Sequence, residues 1–162
     1  MLIAAAAVYG GVSYTALKRE QLNELEALCH MLRLMQDEFE TRALPLPELA
    51  AQLEERTESA GKALLSGLLR RLPELGSRDF QNIWEECVTE SVKHSEEAAR
   101  LLCTLGSFLG RYDVDSQSEA IRSCRETLEK LRTTAAEALP QTRRLGMGLA
   151  LTSGALIVIT LI

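Results

Sequence analysis

EQLNELEALCHMLRLMQDEFETR, residues Glu20 to Arg42, is the stretch that decides the fold class. Leu22, Leu25, Leu28, Leu32, Met35 and Phe39 recur at steps of three and four, the spacing of one helical face. Glu26, His30, Arg33, Asp37 and Glu40 form the opposite stripe. A helix with this pattern buries its leucines against other helices and leaves its charges in water. His30, one turn after Glu26, therefore reads as a surface residue beside a carboxylate and not as a catalytic base.

Downstream, the same periodicity continues. ALPLPELAAQLEERTESAGKALLSGLLRRLPELG opens with prolines suited to a turn and a first helical turn. Leu49 and Leu53, then Leu64, Leu65, Leu68 and Leu72, give two apolar stripes, and Gly61 is expected to mark the break between two short helices. Pro73 and Gly76 close the unit. A helix over 78–90 carries Phe80, Ile83, Trp84, Cys87 and Val88 on one face, with Trp84, the single tryptophan, as core anchor. Ser95 is the expected N-cap of a helix that runs through Leu101, Leu102, Leu105, Phe108 and Leu109, with Glu96 and Glu97 in its first turn. His94 falls in the preceding linker. The last long helix is expected from Asp115 to Leu139, with Ile121, Cys124, Leu128, Leu131, Ala135 and Ala138 at helical spacing and Pro140 kinking or interrupting the path beyond it.

Outside this helical middle, both ends are uncharged. Every Lys, Arg, Asp and Glu lies between Lys18 and Arg144. Leu2–Leu17 and Leu145–Ile162 would each form an apolar helix of roughly 25 Å, slightly short of a ~30 Å hydrocarbon core. The basic pairs Lys18-Arg19 and Arg143-Arg144 both flank the middle, which places that middle in the cytosol and both termini across the membrane. No basic residue precedes the first apolar run, so it is expected to be retained and not cleaved as a signal peptide. The expected organisation is a transmembrane helix over 1–17, a cytosolic bundle over 18–144 and a second transmembrane helix over 145–162.

Composition narrows the chemistry. A net charge of -5 and the lack of a basic stripe with interleaved aromatics argue against nucleic acid as partner. Cys29, Cys87, Cys103 and Cys124 show no paired spacing and read as small apolar core residues. DVDSQSE, residues Asp113 to Glu119, has oxygen ligands at alternate positions, but a calcium loop counted from Asp113 needs glycine where Ser118 stands and a bidentate carboxylate where Cys124 stands. Asp113 or Asp115 is then the cap of the following helix. No metal site, cofactor or catalytic constellation is implied, and an enzyme is not expected. Small residues four apart are more informative: Gly106 and Gly110; Ala7 and Gly11; Gly146, Ala150 and Gly154. Such spacing lets membrane helices approach closely, and the two terminal helices are expected to pack through these faces.

The order of these features resembles the stage III sporulation protein AB family of endospore-forming bacteria. The likeness is carried by the first apolar helix and its basic pair, ALPLPEL, LLCTLGSFLGRYDVDSQSEAIRSC and the terminal LGMGLALTSGALIVITLI. Its most specific part is Leu105, Gly106, Leu109, Gly110, Asp113 and Gln117. The resemblance implies a compact antiparallel bundle of about six helices, similar to the cytosolic domain of the inner-membrane platform proteins of type II secretion and type IV pilus machines. It further implies membership of the mother-cell complex that forms a channel to the forespore. By analogy the platform would dock a secretion-type ATPase and organise other membrane proteins of that channel, with a homo-oligomer among the arrangements allowed. The surface expected to do so is the junction of Gly106, Gly110, Asp113, Asp115 and Gln117. A membrane-tethered regulatory or sensory bundle is the second class.

Overall fold

The computed structural model describes residues 2–42, 44–109 and 114–161; the side chains of 2–14, 42, 114 and 140–161 lie outside that description. Among the described residues the chain forms six α-helices and one 3-10 turn, with no strand beyond an isolated Leu75–Arg78 bridge. The helices are α1 (Leu2–Arg42), α2 (Leu46–Arg56), α3 (Ser59–Arg71), α4 (Phe80–Ser91), α5 (Glu96–Gly106) and α6 (Val114–Leu161). The 3-10 turn is Leu72–Glu74.

The frame is the pairing of α1 with α6. Arg33 reaches Glu129 at 3.5 Å, while seven residues further along α1 the Glu40 carboxylate acts on Arg122, seven residues earlier on α6. One step up α1 therefore matches one step down α6, and the pair is antiparallel. The stripe of Glu20–Arg42 turns inward as its spacing requires: Leu25, Leu28, Leu32, Met35 and Phe39 are buried, and Leu22 is half-buried. Ile121, Cys124 and Leu128 answer from α6.

The shorter helices fill the frame as successive hairpins. Leu49 and Leu53 of α2 and Leu64, Leu65 and Leu68 of α3 are fully buried. The break between α2 and α3 falls at Thr57-Glu58, not at Gly61. There the Thr57 hydroxyl donates to Leu53 O at 2.9 Å, and Ser59 takes a left-handed φ of 50°. Gly61 lies inside α3 instead, where a Cβ would meet Ala27 O and Met31 Cβ of α1 at 3.2 Å. Its missing side chain brings two helices together; it does not separate them. Pro73 and Gly76 end the unit as the sequence indicates, Gly76 adopting φ 104°.

Two further expectations change. α5 stops at Gly106 rather than continuing through Leu109, although Leu109 remains buried. Pro140 does not interrupt α6, which runs from Val114 to Leu161. A proline removes one backbone bond, and the bonds on either side carry the helix past it. The two boundaries of the expected organisation therefore fall inside continuous helices, 17/18 in α1 and 144/145 in α6. Among the described residues no helix is long and apolar enough to cross a membrane. The side chains of most of both apolar runs are outside that set.

Candidate functional site

The site expected at the junction of α5 and α6 begins under the tryptophan. Trp84 is fully buried, and its indole N–H donates to Leu102 O at 2.6 Å. Phe80 leans on the same ring at a centroid distance of 6.0 Å. A Cβ at Gly106 would lie 2.8 Å from the indole Cγ and closer still to Cδ1, so only glycine fits beneath that face. Burying an indole removes on the order of 200 Å² from water, roughly 5 kcal/mol at ~25 cal/mol per Å². Gly106 is thus a core seat for Trp84, and it is not accessible to a partner.

Beyond Gly106 the chain turns tightly. Ser107 N donates to Thr104 O at 3.2 Å and Phe108 N to Leu105 O at 3.0 Å. Gly110 and Asp113 lie outside the described residues. Asp115 is exposed in the first turn of α6, where a carboxylate faces the positive end of the helix dipole; as the second residue of α6 it is not the capping residue. Gln117 is half-buried. The proposed membrane-packing residues Ala7, Gly11, Gly146, Ala150 and Gly154 fall within α1 and α6, and their surroundings are outside the described residues.

At the other end of the bundle the structure assembles a cluster that the sequence pattern passes over. Glu24 on α1 is 6% exposed, and its carboxylate accepts the backbone N–H groups of Lys93 at 2.8 Å and His94 at 3.1 Å. One turn earlier Glu20 lies 3.7 Å from the His94 imidazole. Ser95, also buried, then caps α5 by accepting from Ala98 N at 3.3 Å. A signal for Glu24 did exist: it occupies the core-facing position one turn before Leu28.

Electrostatics elsewhere give no activated nucleophile among the described residues. All four cysteines are free. Burial pushes the Cys29 thiol up to about 11 and the Cys124 thiol up to about 12, and it raises Cys87 and Cys103 as well. Thiols so placed are protonated near neutral pH. On the outer face, Arg78 grips Glu74 at 2.9 Å and also Glu86, while Arg71 holds Glu90 at 2.6 Å. The Arg78 guanidinium holds the Glu86 carboxyl below its usual range. The concavity on α4, lined by Arg78, Glu86 and Glu90 among others, is a shallow surface groove, as is the one on α6 between Glu126, Glu129, Lys130 and Arg132. Among the described residues no group of three or more His, Cys, Asp or Glu is placed to hold a metal.

The class defined by these features is an all-α bundle built on two long antiparallel helices with uncharged outer segments. The chain belongs to the stage III sporulation protein AB family, whose model matches residues 1–162. That membership gives it a role related to sporulation. A solved structure of stage III sporulation protein AB (SpoIIIAB) is similar in fold, with a TM-score of 0.65 at 21% identity, covering 75% of this chain and 97% of that one. No curated protein sequence matches the chain.

Proposed function

We propose that the chain is a two-pass membrane platform, without chemistry of its own, whose cytosolic bundle docks a secretion-type ATPase and organises membrane partners of a sporulation channel. The observation that carries the reading is the antiparallel register of α1 and α6. Extended along both helices, it brings the uncharged residues 2–17 level with the uncharged end of α6 and sets the basic pairs near one another. Two such segments emerging side by side suit a helical hairpin in a bilayer, with cations at the cytosolic surface. Continued at the same register, Gly11 would come within one residue of Ala150, a pairing of small residues that favours close packing.

Three measurements test the proposal in sequence. The full chain should stay with membranes through a high-salt wash and leave only with detergent; recovery as a freely soluble polypeptide would sink the two-pass reading. Gly11→Cys with Ala150→Cys, in a variant lacking the four native thiols, should crosslink in membranes. The detergent-solubilised chain should retain a secretion-type ATPase, and Asp115→Lys or Gln117→Ala should weaken retention without loss of helicity. Absence of retention by the parent chain would favour the tethered regulatory bundle instead.

A further inference from the structure

Building on the two-pass reading, we propose that the turn between α4 and α5 is a docking surface for the bilayer itself, and that it rests on zwitterionic phospholipid headgroups. Leu17, Glu20 and Glu24 stand three and four residues apart and so share one face of α1. Two of them hold the turn: Glu24 accepts from the Lys93 and His94 amides, and Glu20 lies 3.7 Å from the His94 imidazole. The third, Leu17, is 56% exposed, an apolar side chain on the bilayer side of that contact.

Height decides the partner. With the hydrocarbon edge at 17/18, Glu20 stands three residues from Leu17, ~4.5 Å of helix above that edge. The headgroup layer adds roughly 5–7 Å on each side of the hydrocarbon, so the His94 imidazole held against Glu20 falls inside it. Glu24 is one turn higher, and its side chain leans back toward the start of α1 as helical side chains do. A helix packed on α1 has its axis ~10 Å away, and a tilt of ~20° moves a point at that distance by only about 3 Å. The turn therefore stays beside the headgroups at ordinary tilts.

Charge selects the headgroup. Lys93 is exposed at the turn, and its flexible stem carries the ammonium down to the phosphates. Lys18 and Arg19 add cations at the hydrocarbon edge. Against them stand Glu20, Glu96 and Glu97, all exposed, the last two in the first turn of α5 with side chains that lean toward the turn. The signs balance, so this end of the bundle matches a layer that offers phosphate and ammonium together better than a purely anionic one.

The test uses the unmodified full chain in phosphatidylcholine vesicles that contain a phosphatidylcholine analogue with a photoreactive diazirine on its headgroup, and labelled peptides are mapped by mass spectrometry. Residues 15–24 should label, since α1 crosses the layer there. Residues 91–97 should label about five-fold above residues 103–109, which begin ~12 Å further from the turn along α5. Lys93→Gln, at an exposed side chain, should lower the labelling of 91–97 by about half and leave 15–24 unchanged. Labelling of 15–24 with 91–97 no higher than 103–109 overturns this proposal and leaves the two-pass reading standing. Labelling of 91–97 that appears only when phosphatidylglycerol is added overturns the zwitterionic partner, and an unchanged pattern in Lys93→Gln overturns the role of that side chain. A chain that takes no label at 15–24 and washes free of the vesicles overturns the two-pass reading itself, and this proposal with it.

Discussion

The two ends of the bundle are closed by opposite chemistry. Away from the apolar termini, α4 and α5 meet through shape, with the Trp84 ring lying on a glycine. Beside the termini, the linker between the same two helices is held by charge, a buried Glu24 carboxylate catching two backbone amides. The first closure fails when atoms are added at Gly106 or removed at Trp84. The second fails when an acceptor disappears, because the Lys93 and His94 N–H groups then lose a charged partner. One pair of helices is thus secured by two mechanisms with different sensitivities.

The largest effects should come from the packed end. Trp84→Ala empties a fully buried site and should cost about 4 kcal/mol in denaturant unfolding of the detergent-solubilised chain. Gly106→Ala should cost about 3 kcal/mol, since a rigid ring hydrogen-bonded to Leu102 O has little room to give. The double variant should cost less than the sum, because truncating Trp84 removes the obstacle to the new methyl. Strict additivity would mean that the two residues do not press on one another.

The polar end should give the intermediate effect and a different fingerprint. Glu24→Ala should cost about 2 kcal/mol by orphaning the Lys93 and His94 amides, and Glu24→Gln about 1 kcal/mol, since one amide oxygen still accepts. Hydrogen exchange should accelerate at those two amides well before global unfolding changes. Ser95→Ala, which removes the cap of α5, should follow at about 1 kcal/mol. If Glu24→Ala left exchange at residues 93 and 94 unchanged, the contrast between the ends would collapse.

What the sequence revealed was mostly local. The stripe from Leu25 to Phe39, the Ser95 cap and the Pro73/Gly76 turn depend on neighbours within a turn or two, and their residue types state the outcome. The resemblance named a family that the full-length match supports. A glycine between two apolar stripes looks like a breaker, whereas the cause of Gly61 is Met31 on another helix. Gly106 was legible as a junction residue, but its need to be glycine comes from Trp84 across the hairpin. Glu24 escaped for the same reason: its partners are 69 and 70 residues away, and periodicity carries no information about them. Of the two outcomes expected at Pro140, a break is the one that the continuous α6 excludes.

The smallest effect separates the ends by pH. At the packed end the turn preceding α4 is braced by Arg78, which lowers the Glu86 carboxyl from its ordinary value near 4.5. A carboxylate whose folded value lies below its unfolded one binds fewer protons when folded, so its contribution is complete above the ordinary value. That contribution is lost as the pH falls through the lowered one. Glu86 is exposed, so solvent screening keeps the gain small. Glu86→Gln should therefore leave the melting temperature at pH 7 nearly unchanged while flattening part of its decline between neutral pH and about pH 3. The same substitution should not alter exchange at the Lys93 and His94 amides, which answer to Glu24 on another helix. A steeper acid decline in Glu86→Gln than in the parent would mean that Arg78 does not favour the ionised carboxyl, and the brace on that turn would have to be sought in Glu74 alone.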